Sequence, residues 1–216
     1  MATQNNPRTM TRAEQKMLTQ QRVIDATLDI IAREGLSGVT MAKIAATAGF
    51  SKGTGNFHFQ SKKQLLRETL RSLQGEFEAT WRAAVAEAGP SPVRQLCALI
   101  QSMLQPPIAN PDRLSVWFAF WGENPSRSTY REICATPDRE WQAAIEKLLQ
   151  QIAGDNMNQL GMSLRTITFS LTAMMTGCWL ESILSPDFFE LKDAIRACYA
   201  YLASFFPEFV PLSDNI

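Results

Sequence analysis

Six polar side chains between positions 51 and 62 are of the types that bind nucleic acid. Together they supply hydroxyls, an amide, an imidazole and two ammonium groups. Such groups contact phosphate oxygens and read base edges in the major groove of a DNA duplex. The six candidates are Ser51, Lys52, Thr54, Asn56, His58 and Lys62, and Thr40, a little earlier in the chain, is a seventh.

Two short helices and a tight turn are predicted to position this set. Thr40 is a good N-cap for a first helix over 41–48, and Gly49 supplies the positive φ of a sharp exit. Ser51 then caps a second helix over 52–58. Because neither helix is long enough to fold alone, the pattern favours helix-turn-helix geometry. The alternative is an alanine-rich helical hairpin with no role in DNA binding.

Lys62 stands in the first turn of the next predicted helix, after the cap Ser61. A cation at a helix N-terminus opposes the helix macrodipole, so helix stability does not favour it there. A bound phosphate would make a lysine at this position favourable, because the free N–H groups of the helix start and the ammonium both attract an anion. The position therefore favours a contact with a nucleic-acid backbone.

The stretch TMAKIAATAGFSKGTGNFHFQSK, from Thr40 to Lys62, resembles the DNA-binding domain of TetR-family transcriptional repressors. The resemblance covers residues from about 18 to about 75 and implies that His58 contacts a phosphate. The chain departs from the family pattern at Gly55 and Asn56. Gly53 and Gly55 each cost a helix about 1 kcal/mol relative to alanine, so we expect this helix to form fully only on DNA.

Composition indicates an ordinary globular protein with an uneven charge distribution. Of its 216 residues 45% are hydrophobic, and the net charge is zero. Residues 1–63 contain nine basic and four acidic residues, whereas residues 64–216 contain twelve basic and seventeen acidic residues. The net positive charge of the N-terminal part favours binding of a polyanion there. Four widely spaced cysteines and a single histidine predict free thiols in the cytoplasm and no metal site.

The rest of the chain is predicted to be helical. Proline, glycine and cap residues break the apolar periodicity into separate segments. No run of 18 uncharged apolar residues predicts a membrane span. The predicted helices are 19–34, 62–88, 91–104, 111–122, 126–153 with a kink at Pro137, 163–184 and 188–206, with polar tails over 1–10 and 207–216.

Aromatic and acidic residues cluster in the C-terminal part, and their combination suits an organic cation. Aromatic faces next to a carboxylate attract a quaternary ammonium group. The alternative for each aromatic residue is ordinary core packing. The ligand-binding candidates are Trp117, Trp121, Glu123, Tyr130, Trp179 and Glu181.

Two segments of this part, VWFAFWGENP (116–125) and GCWLESIL (177–184), are similar to the ligand domain of the choline-responsive BetI-like subgroup. That resemblance implies a homodimer in which the last two long helices of each subunit form a four-helix bundle. The dimer-interface candidates are Leu171, Met174, Cys178, Ile195 and Tyr199.

These observations predict an all-α protein with an N-terminal three-helix helix-turn-helix domain over 1–62 and a C-terminal helical ligand-binding and dimerisation domain over 63–216. The expected function is a cytoplasmic, dimeric transcriptional repressor that binds a palindromic DNA operator and a small-molecule effector, with no cofactor. The helix that begins at Lys62 would link the two domains. The alternative is a helical small-molecule-binding protein without a DNA role. An enzyme is disfavoured because the chain lacks a nucleophile–base pair, metal-ligand spacing and a phosphate loop.

Overall fold

A computed structural model describes residues 11–50, 59, 61–155 and 161–214 of the chain. These residues form α-helices and short 3₁₀ turns, and no strand occurs among them. The Cα atoms group into two compact units, Met1–Thr69 and Leu70–Ile216. The predicted all-α fold is confirmed, and the predicted domain boundary at residue 62 stays a prediction.

The first unit is built around α1 (Arg12–Glu34) and α2 (Met41–Thr47), which a 3₁₀ turn connects. One face of α1 is apolar and buried, and it meets the fully buried Ile44 of α2 within the core. Thr40 caps α2, since its hydroxyl accepts a hydrogen bond from the backbone N–H of Lys43 at 3.2 Å. Gly49 follows α2 at φ 71°, a left-handed conformation that favours glycine.

Helix α1 begins seven residues before the predicted position 19. Its start is a capping box: the Thr11 hydroxyl accepts from Glu14 N–H at 3.2 Å, and the Glu14 carboxylate accepts from Thr11 N–H at 2.7 Å. This pairing satisfies two backbone donors that a helix start leaves free. The spacing of Thr11 and Glu14 was visible in the sequence, but the apolar periodicity starts only later along the helix.

The second unit contains most of α3 (Lys62–Glu87), which begins in the first unit, and six further helices. Serine, asparagine and proline start several of them: Ser91 precedes Pro92 at the start of α4, Asn110 precedes Pro111 at α5, and Ser163 caps α7. The remaining helices are α4 (Pro92–Leu104), α5 (Pro111–Gly122), α6 (Asn124–Ala153), α7 (Leu164–Leu184), α8 (Leu191–Ala203) and α9 (Val210–Asp214).

The C-terminal end differs most from the prediction. Helix α8 is shorter than the predicted 188–206, and the predicted tail is a 3₁₀ turn, Pro207–Phe209, followed by α9. Phe209 is fully buried, and its ring lies 6.0 Å from that of Tyr199 on α8. The packing of Phe209 therefore holds this segment against α8.

Helix α7 is long and apolar enough to span a membrane by length and composition, and no other described helix passes that test. One of its faces is buried, including Leu171, Met175 and Trp179. Another face is open and carries large apolar side chains at helical spacing. We call this surface the α7 stripe: Phe169, Leu180 and Leu184 on the helix with the small Ala173 between them, and Met162 just before the helix.

Candidate nucleic-acid interface and effector site

The turn after α2 is held by one arginine that the sequence analysis did not identify. A guanidinium N–H of Arg22, on α1, donates to the carbonyl of Ala48 at 2.6 Å. The same guanidinium lies 4.8 Å from the centre of the Phe50 ring, a cation–π contact. Arg22 therefore fixes the exit of α2 from two sides. The chain spacing gives no signal for this contact, because Arg22 and Ala48 are 26 residues apart.

The DNA-contact candidates are divided by where the structure describes the chain. Ser51, Lys52, Thr54, Asn56 and His58 lie outside the described residues. Gly53 and Gly55 also lie outside the described residues. The expectation that the second helix forms fully only on DNA concerns the same segment. Of the set, Thr40 and Lys62 are described, and both have partners inside the first unit.

Lys62 has a structural role that the helix-dipole argument did not foresee. Ser61 caps α3, with its hydroxyl accepting from Gln64 N–H at 3.2 Å, and Lys62 is the first residue of the helix. The Lys62 ammonium donates to the carbonyl of Leu36 at 3.0 Å. Its unfavourable place in the first turn is thus already balanced in part by a carbonyl. An ammonium has three donors, and the Leu36 contact uses one of them.

Seven aromatic rings from four helices of the second unit form one continuous set of contacts, which we call the aromatic cluster. Phe77 on α3 lies at its centre, with its ring edge-on to three tryptophans at centroid distances of 5.8 to 6.4 Å. Such edge-to-face pairs are favourable beyond the area they bury. The members are Phe77, Trp117, Phe118, Trp121, Tyr130, Trp141 and Trp179.

The aromatic cluster has a buried part and an open part. Trp117, Trp141 and Trp179 are buried, and the indole N–H of Trp179 donates to the carbonyl of Met103 at 2.6 Å. Trp121 and Tyr130 are partly exposed, with ring centroids 5.9 Å apart and an interplanar angle of 86°. The structure therefore brings together all four of the predicted aromatic ligand-binding candidates, with two of them reaching solvent.

The two predicted carboxylates are not part of this cluster. Glu123 and Glu181 are exposed, and each lies two residues from a cluster tryptophan. Residues at this spacing in a helix point to different sides. Glu181 lines a separate groove of about 420 Å³ between the end of α7 and the start of α8. Proximity in sequence was a misleading guide to these two side chains.

The carboxylate that does reach the cluster is Asp138, on α6. Its Oδ2 accepts a hydrogen bond from the Tyr130 hydroxyl at 2.9 Å. Burial raises the pKa of Asp138 above its usual value, and the hydrogen bond from Tyr130 partly opposes this effect. Burial, with Asp138 nearby, raises the pKa of the Cys134 thiol to about 12, so Cys134 is neutral. From the sequence, Asp138 stood only at the break beside Pro137 and had no binding role, although positions 130, 134 and 138 share one helix face.

Three dimer-interface candidates are buried within the subunit. Leu171 is 0%, Ile195 6% and Tyr199 2% exposed, so these side chains belong to the subunit core and cannot reach a partner. Met174 and Cys178 are partly exposed and line the groove beside Glu181. Leu171 lies on α7, which is apolar on nearly all sides, so its sequence does not show which face is buried. Ile195 and Tyr199 lie on the buried apolar face of α8.

Metal and disulfide chemistry find no support in the part of the chain that the structure describes. All four cysteines are free, with Cys134 and Cys198 buried. No group of three or more potential metal ligands occurs among the residues searched.

Comparison with known proteins agrees with both units. Residues 23–69 match the family of bacterial regulatory proteins of the tetR type, and residues 92–207 match the C-terminal family of BetI-type transcriptional repressors. The HTH-type transcriptional regulator BetI of Paraburkholderia phymatum is 29% identical over 195 residues, which cover 89% of this chain and 95% of that protein.

Solved structures show the same fold. A candidate transcriptional regulator from Pseudomonas aeruginosa PAO1 superposes with a TM-score of 0.71 at 27% identity, covering 91% of this chain and 90% of that one. A candidate regulator from Saccharomonospora viridis, solved in complex with choline, has a TM-score of 0.67 at 22% identity and covers 86% of this chain and 96% of that one.

These families consist of DNA-binding transcription regulators and not of enzymes. The BetI-type match alone spans more than half of the chain. The chain is therefore a member of the TetR family of helix-turn-helix transcriptional repressors, within its BetI-type group.

Proposed function

We propose that this repressor acts in the cytoplasm as a homodimer, binds a palindromic DNA operator, and releases it when a small organic cation binds the aromatic cluster. The observation that carries the proposal is the open part of that cluster, where Trp121 and Tyr130 reach solvent beside Asp138. Aromatic faces and a carboxylate attract a cation and disfavour an anion. The choline in the Saccharomonospora viridis protein suggests the first probe.

The proposed partner in DNA binding is a second copy of the chain, joined through the α7 stripe. Phe169 is 68% and Leu184 67% exposed, and Phe188, just beyond the helix, is 89% exposed. A row of exposed large apolar side chains on one helix face marks an interaction surface. A two-fold dimer would present two helix-turn-helix units to half-sites about 34–36 Å apart, or a multiple of this distance.

Thermal unfolding in the presence of choline tests the effector part of the proposal. A ligand at 100 times its Kd adds about 2.7 kcal/mol to the free energy of unfolding of the unit that binds it. We expect choline to raise the midpoint of the tryptophan fluorescence transition, since all five tryptophans lie at or beyond position 81. Tetramethylammonium should also raise it, and betaine aldehyde belongs in the same panel. A midpoint that no cation moves would contradict the proposed effector class.

A second prediction concerns Lys62 and DNA. We expect Lys62→Ala to weaken binding to all duplexes about equally and to lower the slope of log K against log salt by about one unit, because one phosphate contact is lost. Anisotropy titrations at several salt concentrations measure this. Lys147→Ala, the same charge loss on α6, is the matched control and should leave the slope unchanged. If binding weakens but the slope stays the same, Lys62 acts only through its hydrogen bond to the Leu36 carbonyl and does not contact a phosphate.

A further inference from the structure

One face of α6 presents three functional groups to the aromatic cluster. Tyr130, Asp138 and Trp141 are separated by eight and three residues, which places them on the same side of a helix. Tyr130 contacts Trp117 at 6.2 Å and Trp121 at 5.9 Å between ring centroids, and Trp141 contacts Phe77 at 5.8 Å. Asp138 lies between these two rings along α6.

No described residue forms an ion pair with the carboxylate of Asp138. The ion pairs among the described residues are formed by other carboxylates. Its one hydrogen bond comes from the neutral hydroxyl of Tyr130. The other titratable neighbour, Cys134, is a neutral thiol. A half-buried carboxylate without a cation is unfavourable, because it has lost water without gaining a compensating charge.

Trp141, one turn further along α6, has an unsatisfied donor. Trp141 is 8% exposed, and its indole N–H has no hydrogen-bond partner within the described part of the chain. A buried N–H without an acceptor is costly, and such groups are rare in folded proteins. Trp179 has a satisfied indole N–H, which donates to the Met103 carbonyl, whereas the indole N–H of Trp81 is unsatisfied as in Trp141. Among these donors, that of Trp141 lies one helical turn from the Asp138 carboxylate, so one small molecule with a cationic group and an acceptor oxygen could satisfy both groups.

We propose that Asp138 and Trp141 determine effector specificity: Asp138 supplies the negative charge that selects a compact organic cation, and the Trp141 indole N–H selects an acceptor oxygen on the same molecule. This inference rests on the proposed function, which places a cation at the aromatic cluster, and adds the residues that distinguish one cation from another. It assigns no role in binding to Glu123 or Glu181, whose side chains are exposed outside the cluster.

Three probes separate the two selections. Choline carries both a charge and a hydroxyl, dimethylbutanol is its neutral carbon isostere, and ethyltrimethylammonium keeps the charge but lacks the hydroxyl. Calorimetric titration of the full chain gives the Kd for each. We expect wild-type protein to prefer choline over the neutral isostere by about tenfold or more, which corresponds to about 1.4 kcal/mol.

Asp138→Asn should remove the preference for a charged ligand, so that the Kd values for choline and dimethylbutanol become similar. Because an amide accepts the Tyr130 hydrogen bond without the cost of a buried charge, we expect the thermal midpoint of the free Asp138→Asn protein to equal or exceed that of wild type. Glu181→Gln, the matched control, should leave all Kd values unchanged. A charge preference that survives in Asp138→Asn overturns the assignment of Asp138 while leaving the proposed cation effector intact.

Trp141→Phe should keep the charge preference and abolish the preference for choline over ethyltrimethylammonium, because the ring remains but its donor is lost. An unchanged hydroxyl preference in Trp141→Phe overturns the assignment of Trp141. If wild-type protein binds choline and its neutral isostere equally well, the selection by charge is wrong. If wild-type protein binds none of the cations, the proposed effector class fails as well.

Discussion

Phe169→Asp should convert the protein to a monomer and reduce its affinity for a palindromic operator by roughly 10²–10⁴-fold. Phe169 is 68% exposed on the α7 stripe, in the N-terminal half of the helix, so an aspartate there leaves the subunit fold intact. In the proposed dimer the new carboxylate would be buried without a partner in both subunits, at a cost of several kcal/mol for each charge. A monomer holds one half-site at a time, so it loses the avidity of two linked contacts.

Sedimentation velocity and anisotropy on the same samples measure these two effects. Met17→Asp is the control for sedimentation, because Met17 is 60% exposed but lies on α1 in the first unit. It should sediment as wild type does. If the Phe169→Asp protein remains dimeric, the α7 stripe is not the dimer interface.

Trp179→Ala should lower the free energy of unfolding of the second unit by about 3–5 kcal/mol, the range found for large aromatic residues in cores. Trp179 is 5% exposed, lies edge-on to Phe77, and stacks on Trp121 at 6.4 Å with an interplanar angle of 14°. Its removal leaves a cavity and leaves the Met103 carbonyl without its donor. Choline binding should be lost with it, because Trp121 loses the ring that supports it.

Urea unfolding followed by the fluorescence of the remaining tryptophans gives the change in free energy. Trp179→Phe keeps an aromatic ring and removes the hydrogen bond, whose net contribution is about 1 kcal/mol. The free energy of unfolding of Trp179→Phe should therefore lie between those of wild type and Trp179→Ala. A loss below 1 kcal/mol in Trp179→Ala would show that the aromatic cluster does not hold the second unit together.

Local chemistry allowed the sequence to predict most helix boundaries. Thr40, Ser61 and Ser163 each accept a hydrogen bond from a backbone N–H in the first turn of the predicted helix. Such caps act within three residues, so the sequence shows them directly. The start of α1 and the final helix α9 were missed. The last depends on Phe209 packing against α8, which is a tertiary contact.

The proposed effector site could be approached from residue type more easily than from position. The aromatic residues of α5 and α7 stood out as a group, and their rings contact one another in the structure. Asp138 was missed because its relation to the rings depends on the rotation of α6. Of the five interface candidates, Leu171 is buried, and its sequence context could not show this because the periodicity of a helix that is apolar on nearly all sides does not say which face is buried. Ile195 and Tyr199 are buried because they lie on the apolar face of α8, which packs inside the subunit.

The central claim is that one small cation controls DNA binding, and a titration of choline into a preformed complex tests it most directly. The complex contains wild-type protein and a labelled palindromic duplex from upstream of its own gene, at a salt concentration where binding is near complete. The account predicts that anisotropy falls to that of free duplex, with a midpoint that follows the Kd for choline. Unchanged duplex affinity while choline saturates the protein would contradict it.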